Sequence, residues 1–146
     1  MHRALDEARP GDVLVVNGHG DMTRALIGNL IGEIMVNAGV AGAVVDGAVR
    51  DVQALSEMGL AVYARAVTPA GPFKDGPGTI GAPVAVGGVV AVVVAGDVLV
   101  GDADGVVVVA RHRVQEVVDA VDGIGEKEQA LRRRILAARP ERAVMA

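Results

Sequence analysis

The adjacent residues Arg50 and Asp51 are the pair in this sequence whose types are best suited to chemistry. They follow an apolar run from Gly42, which is predicted to be a strand that breaks at Gly47. Arg presents a planar fork of donors that matches a carboxylate, and Asp presents hard oxygens suited to Mg²⁺. Ligands of open α/β sheets bind beyond the carboxyl ends of the strands. The pair could therefore hold an anionic substrate and a metal, or it could be a surface ion pair that caps the next helix.

The composition predicts one cytoplasmic α/β domain that spans residues 1–146. Hydrophobic residues make up 51% of the chain, but Tyr63 and Phe73 are its only aromatic residues, so the core is built from valine, alanine, leucine and isoleucine. A net charge of -4 and the scarcity of aromatic rings argue against direct binding of nucleic acid. The absence of cysteine excludes disulfides and cysteine metal sites. The apolar run 84–95 is too short to span a membrane, and no signal-peptide core follows the first residues.

The first half of the chain predicts alternating strands and helices. A glycine-bearing loop precedes a helix in which Leu26, Leu30, Ile34 and Ala38 recur every four residues on one face. The resulting β-α-β-α-β order favours a largely parallel sheet with helices on its faces. The predicted elements are a helix at 4–9, a strand at 12–16, a helix at 23–38, a strand at 43–46, a helix at 52–58 and a strand at 60–64.

The second half of the chain has a different residue pattern, which begins with a long loop at Thr68. Valine-rich segments at 83–94, 97–100 and 106–110 are joined by short turns, which predicts an antiparallel or mixed portion. Residues 112–138 predict one or two exposed C-terminal helices that are interrupted at Gly123 to Gly125.

Several segments, taken in order, resemble the RraA-like family of aldolases and ribonuclease regulators. The resemblance covers about residues 10–125 and implies an α/β fold: a β/β/α swivelling-type domain with a mixed central sheet flanked by helices and a C-terminal helical tail. It also implies a homotrimer or hexamer with active sites close to subunit contacts. The chain looks like a short form or a fragment, since the family's usual N-terminal segment is lacking. The segments are 11–16, 24–28, 39–51, 71–78 and 96–109.

The resemblance implies a class II aldolase that depends on Mg²⁺ or Mn²⁺. Such an enzyme cleaves a small 2-oxo acid, 4-hydroxy-4-methyl-2-oxoglutarate or 4-carboxy-4-hydroxy-2-oxoadipate, releases pyruvate, and can also decarboxylate oxaloacetate. In this family's pattern Asp51 is the metal ligand, and Arg50 contacts the substrate, so both are catalytic. The backbone amides of the helix start are implied to bind the substrate carboxylate, at Gly28, Asn29, Leu30 and Ile31.

Asn29 departs from the family's pattern, which has an acidic residue at this position. An amide cannot carry charge or take a proton, so metal affinity or proton transfer could be weakened. Glu33 lies one helical turn further on and could compensate in part. The alternative function is a non-catalytic regulator that binds a ribonuclease or another protein. Asn29 favours that alternative, whereas the intact Arg50 and Asp51 argue against it.

The remaining polar residues are weaker candidates for a site. His19 in the glycine-bearing loop could lie near the site, although a loop histidine is more often only exposed. His2 and His112 have no partners at the spacing of metal ligands. Asp102 and Asp104 are interpreted as turn residues, because they lack the other ligands of a calcium loop.

Overall fold

The computed structural model describes residues 2–73, 76–87 and 91–138. The chain divides into two compact units, one up to Ala110 and one from Arg111 onward. The described part of the first unit contains three helices and eight strands, and that of the second contains a short 3-10 helix and one long helix. The helices are α1 (His2–Asp6), α2 (Asn29–Asn37), α3 (Val52–Glu57) and α4 (Val114–Ala137). The strands are β1 (Val13–Asn17), β2 (Ala25–Ile27), β3 (Gly42–Val49), β4 (Ala61–Val67), β5 (Val84–Val86), β6 (Ala91–Val93), β7 (Val98–Asp102) and β8 (Gly105–Val109).

Strand β3 is the centre of a four-stranded parallel sheet. Strand β1 pairs with its first half, β2 pairs with its last residues, and β4 pairs along its length. Because a strand has two edges, β1 and β2 share one edge of β3 and β4 takes the other. The predicted parallel sheet is therefore confirmed, and its central strand is buried along nearly its whole length, as expected for a strand covered on both faces.

The predicted helix at 23–38 is wrong in its first part, because residues Ala25–Ile27 form strand β2. This strand is held by its pairing with β3 and by the amide of Ala25, which donates to the carbonyl of Ala70 at 2.8 Å. The order is thus β-β-α-β-α-β. A three-residue strand that is held by distant segments leaves little periodicity in the local sequence.

The buried face of α2 also differs from the predicted one. Leu30 and Ile34 are exposed, whereas Gly32 and Met35 are buried. Gly32 lies so close to α3 that a methyl group there would come within 2.5 Å of the Leu55 side chain. Close approach of the two helices selects the glycine face, so the spacing of large apolar residues predicted the wrong side.

The predicted break at Gly47 is wrong, because strand β3 continues to Val49. The pairing of β3 with β4 shifts register between Val45 and Ala48, so Gly47 lies at an irregularity within the strand. A methyl group at Gly47 would lie 3.2 Å from the carbonyl oxygen of Asp21. The glycine is needed for the close approach of the loop that precedes β2.

Asp46 joins the sheet to this loop region, through its side chain on one side and its backbone carbonyl on the other. Asp46 of β3 is 7% exposed, and its carboxylate accepts a hydrogen bond from Nε of Arg65 on β4. The carbonyl of Asp46 accepts from the amides of Gly18 and Gly20 at 3.1 and 3.0 Å. The loop between β1 and β2 is therefore fixed against β3, upstream of Arg50.

The valine-rich part is antiparallel, one of the two predicted arrangements: β5 pairs with β6 and β7 pairs with β8. The predicted single segment 83–94 contains both β5 and β6. In the second unit α4 runs without interruption through Gly123 and Gly125, which corrects the predicted break. Each glycine costs a helix about 1 kcal/mol relative to alanine, and the strong helix formers that follow outweigh this cost. Among the described residues, no helix is both long and apolar enough to cross a membrane.

Candidate functional site

The ends of three parallel strands meet around Arg50. The amide of Arg50 donates to the carbonyl of Ile27 at the end of β2, with a length of 2.9 Å. The amide of Thr68, just beyond β4, donates to the carbonyl of Val49 at 3.0 Å. These two bonds continue the sheet for one residue past β3. Arg50 and Asp51 thus follow the end of the strand as predicted, although β3 runs three residues further than predicted, and the ends of both neighbouring strands lie beside them.

Asp51 has an unusual backbone and an unusual carboxylate contact. Its φ and ψ are 56° and 37°, the left-handed region, although it is the residue that precedes α3. Residues at this position are normally extended and cap the helix with their side chain. The Asp51 side chain forms no such cap. Its Oδ2 instead accepts a hydrogen bond of 3.0 Å from the amide of Asn29, the first residue of α2.

The carboxylate of Asp51 also pairs with Arg50, with 3.4 Å between Oδ2 and Nε and both side chains 39% exposed. The alternative of an ion pair that caps the next helix is therefore wrong in its capping part. A non-glycine residue in the left-handed region costs of order 1 kcal/mol, and such strain tends to accumulate at functional sites. The fold here turns the carboxylate away from its own helix and toward α2.

Gly28 provides the space for this arrangement. It is buried and extended, with φ of -144° and ψ of -170°. A methyl group on Gly28 would lie 2.6 Å from Oδ2 of Asp51 and 2.8 Å from Nε of Arg50. These distances are shorter than real contacts of a β-carbon, so no larger residue fits while the pair keeps its position.

The pair lines an open surface cavity of about 270 Å³ together with Val67, Thr68 and Pro69. Thr68 was not among the site residues predicted from the sequence. A signal for it exists, because parallel neighbouring strands end at the same edge of a sheet, so the residue after β4 must lie near the residue after β3.

The start of α2 contributes backbone amides to the same region. The amide of Gly32 donates to the carbonyl of Gly28, which makes it the first intrahelical bond. The amides of Asn29, Leu30 and Ile31 precede it and have no carbonyl within the helix to bond. That of Asn29 already donates to Asp51, so the amides of Leu30 and Ile31 are the ones left for an anion at this helix terminus.

The donor set at Asp51 fits Mg²⁺ better than Zn²⁺. Among the described residues, no three carboxylate, histidine or cysteine side chains cluster in a way that could hold a metal ion. Mg²⁺ keeps several waters and needs only one or two protein carboxylates, whereas Zn²⁺ takes three or four protein ligands. The half-exposed carboxylate of Asp51 can serve as the single protein carboxylate of a Mg²⁺ site, but it provides too few ligands for Zn²⁺.

Other predicted residues lie elsewhere. Glu33 is exposed on α2 and does not line the cavity of Arg50 and Asp51. His19 lines a different cavity, which is bordered by residues 76–80. Asp102 accepts a hydrogen bond of 2.8 Å from the amide of Asp104, which confirms that these residues form a turn.

Comparison with known proteins assigns the chain to a family. The family model described as "RraA-like: Aldolase/RraA" matches residues 1–108. A protein of Halalkalibacterium halodurans, named "Putative 4-hydroxy-4-methyl-2-oxoglutarate aldolase", is 41% identical over 115 residues, which are 79% of this chain and 54% of that protein. A protein of Burkholderia mallei with the same name is 43% identical over 108 residues, 74% of this chain and 64% of its own length. The chain thus spans about half to two thirds of these relatives.

Solved structures agree in fold. RraAS2 of Streptomyces coelicolor, described as an unusual member of the RNase ES inhibitor RraA protein family, superposes with a TM-score of 0.83 at 34% identity, covering 91% of this chain and 67% of that one. The RNA-processing inhibitor RraA from Thermus thermophilis gives a TM-score of 0.67 at 36% identity, over 73% of this chain and 64% of that one. The predicted α/β fold class is confirmed, and the chain belongs to the RraA-like family.

Proposed function

We propose that this protein is a divalent-metal-dependent aldolase that cleaves a 4-hydroxy-2-oxo acid and releases pyruvate. The observation that carries the proposal is the Arg50 and Asp51 pair at three converging strand ends, with the first amide of α2 bonded to the carboxylate of Asp51. A cation and a carboxylate that line one cavity, with the start of α2 bonded to that carboxylate, suit a small anionic substrate. The proposed substrates are 4-hydroxy-4-methyl-2-oxoglutarate and 4-carboxy-4-hydroxy-2-oxoadipate.

Each residue of the pair has a role in this proposal. Asp51 would hold Mg²⁺ or Mn²⁺, which as a Lewis acid supplies stabilisation of the negative charge that develops when a carbon-carbon bond β to a ketone breaks. Arg50 lies beside Asp51 and would add fixed positive charge near the place where this negative charge develops. The amides of Leu30 and Ile31 would orient the substrate carboxylate. The same arrangement would serve oxaloacetate decarboxylation, which also passes through the enolate of pyruvate.

The names of two relatives support the aldolase over other functions of this fold. Both are named as putative aldolases for 4-hydroxy-4-methyl-2-oxoglutarate, at 41% and 43% identity. The proposed chemistry also needs no cysteine, a residue type that the chain lacks. Assembly as a homotrimer or hexamer stays a prediction.

The proposal is tested by pyruvate release, followed through lactate dehydrogenase and NADH. We expect turnover of 4-hydroxy-4-methyl-2-oxoglutarate in Mg²⁺, a loss of about 100-fold or more in EDTA, and recovery when excess Mg²⁺ is restored, because the metal stabilises the developing charge. Turnover that EDTA does not change would contradict the role of the metal. No turnover with Mg²⁺ or Mn²⁺ would contradict the proposal itself.

The second candidate function is a non-catalytic regulator that binds a ribonuclease or another protein. Asn29 favours it, because the position that is acidic in the family's aldolase pattern carries no charge here. The solved relatives described as an RNase ES inhibitor family member and an RNA-processing inhibitor also favour it. The two candidates make different predictions for the native protein, since a regulator releases no pyruvate under any metal condition.

Replacing Asn29 by aspartate tests the missing carboxylate directly. We expect Asn29→Asp to tighten Mg²⁺ binding about tenfold, because a second carboxylate next to Asp51 strengthens attraction for a divalent cation. The dependence of pyruvate release on Mg²⁺ concentration and calorimetric titration with Mg²⁺ measure the change. The matched control is Asn37→Asp, the same charge change at the exposed far end of α2.

Equal effects of the two substitutions, or no effect of Asn29→Asp, would mean that position 29 does not act on the metal. Turnover that appears in Asn29→Asp and is absent from the native protein would identify the chain as a degenerate aldolase, which favours the regulator.

A further inference from the structure

A second cation lies close to Arg50 on the side of the loop that follows β4. The guanidinium of Arg24 donates from Nη1 to the carbonyl of Gly71 at 3.1 Å. It also stacks over the ring of Phe73, with 4.3 Å between Cζ and the ring centroid. These two contacts hold a half-buried arginine in one orientation.

Gly71 connects this cation to the candidate site. A methyl group on Gly71 would lie 3.3 Å from Nη1 of Arg50, while its carbonyl oxygen contacts Arg24. Since a carbonyl oxygen lies about 3 Å from the β-position of its own residue, the two Nη1 atoms are at most about 9 Å apart. Arg24 and Arg50 therefore both lie next to Gly71.

The charge of Arg24 is available to a ligand. Within the described ranges 2–73, 76–87 and 91–138, Arg24 forms no ion pair with a carboxylate. The nearby Asp21 accepts hydrogen bonds from the hydroxyl and the amide of Thr23, and these bonds, helped by the charge of Arg24, hold its pKa below the usual value. An arginine has five N–H donors, and the bond to Gly71 uses one of them.

We propose that Arg24 determines substrate specificity by binding the carboxylate at the far end of a dicarboxylic 2-oxo acid, whose reacting end lies at Arg50. The inference rests on the proposed aldolase function. The terminal carboxylates of a five-carbon dicarboxylic acid lie about 5 Å apart, and hydrogen bonds of about 3 Å at each end let such a molecule span the two guanidinium groups. A 2-oxo acid with a methyl group in place of the far carboxylate leaves Arg24 without a partner.

The test compares two substrates that differ only at the far end. In 4-hydroxy-4-methyl-2-oxoglutarate this end is a carboxylate, and in 4-hydroxy-4-methyl-2-oxopentanoate it is a methyl group. Both break the bond between carbons 3 and 4, and both release pyruvate, so one assay serves both. The readout is the ratio of their kcat/KM values, measured in Mg²⁺ for the native protein and for three variants.

We expect the native protein to prefer the dicarboxylic substrate and Arg24→Gln to lower the ratio by about 10- to 100-fold, the effect of losing one hydrogen-bonded charge. Arg24→Lys keeps the charge without the fork and should retain part of the preference. Phe73→Leu removes the stacked ring but keeps the cation, so it should retain most of the preference. Thermal unfolding of each variant reports whether it folds. If Arg24→Gln does not fold, the decrease in the kcat/KM ratio for Arg24→Lys tests the inference.

A purely structural role of Arg24 predicts a different result, because loosening the Gly71 segment would reduce turnover of both substrates alike. An unchanged ratio in Arg24→Gln and Arg24→Lys, with a native protein that turns over both substrates, would overturn the inference and leave the aldolase function standing. A native protein that releases pyruvate from neither substrate would overturn both.

Discussion

Replacing Asp51 by asparagine is expected to lower metal-dependent kcat/KM by about 100- to 1,000-fold while the fold stays intact. Asparagine tolerates the left-handed backbone of residue 51, and its side-chain oxygen can still accept from the amide of Asn29. The substitution therefore removes the negative charge and little else. Alanine would be a poorer choice, because it adds backbone strain and deletes the contact with α2 as well.

Pyruvate release at saturating Mg²⁺ and the melting temperature measure the two parts of this prediction. The matched control is Glu33→Gln, which removes a carboxylate from the exposed surface of α2 outside the cavity. We expect less than about a twofold change for the control. A similar loss in both variants would show that Glu33 compensates for Asn29, and an active Asp51→Asn protein would remove Asp51 from the metal site.

Gly28→Ala is expected to reduce kcat/KM about 100-fold with little change in stability. The added methyl group would lie 2.6 and 2.8 Å from Oδ2 of Asp51 and Nε of Arg50, so the pair must move. The methyl group would also lie 2.9 Å from Cγ of Arg50, so this side chain must turn as a whole; both side chains are partly exposed and have room to turn, and the extended backbone of Gly28 suits alanine. The cost therefore falls on the geometry of the site, where a displacement of about 1 Å can reduce turnover 100-fold.

The control for this substitution is Gly78→Ala, where a methyl group would meet no atom within 4 Å. Kinetics and thermal unfolding of the two variants are compared side by side. The prediction fails if Gly28→Ala keeps native kcat/KM, or if it loses activity only in proportion to the fraction that unfolds. Either result would mean that Arg50 and Asp51 need not keep their present contacts with the start of α2.

Local sequence was sufficient to predict single elements and the turns that join neighbouring ones. The apolar run before Arg50 predicts a buried strand, and β3 is that strand. The valine-rich segments with short turns predict an antiparallel or mixed portion, and β5 to β8 form two antiparallel pairs there. Periodicity of side chains and the residues that form turns are properties of a few neighbours, so they can be read without knowledge of the rest of the chain.

Long-range contacts decided what local patterns did not reveal. Strand β2 exists because of pairing with the end of β3, and α2 buries Gly32 because α3 approaches it closely. The Asp46 and Arg65 pair joins neighbouring strands through residues 19 positions apart. Each of these features depends on which segments become neighbours in the sheet, and that information is spread over the whole chain.

In the site, too, local sequence determined some features and long-range contacts determined others. By itself the sequence determined that Arg50 and Asp51 follow a buried strand, and its family resemblance implied a helix start at Gly28, about twenty residues earlier. Only the tertiary structure decided that the Asp51 carboxylate turns to the amide of Asn29, 22 positions away, and that Arg24 reaches Gly71 at a separation of 47. Side-chain direction follows from the backbone angles and neighbours of each residue, and parallel strands bring those neighbours from distant parts of the chain.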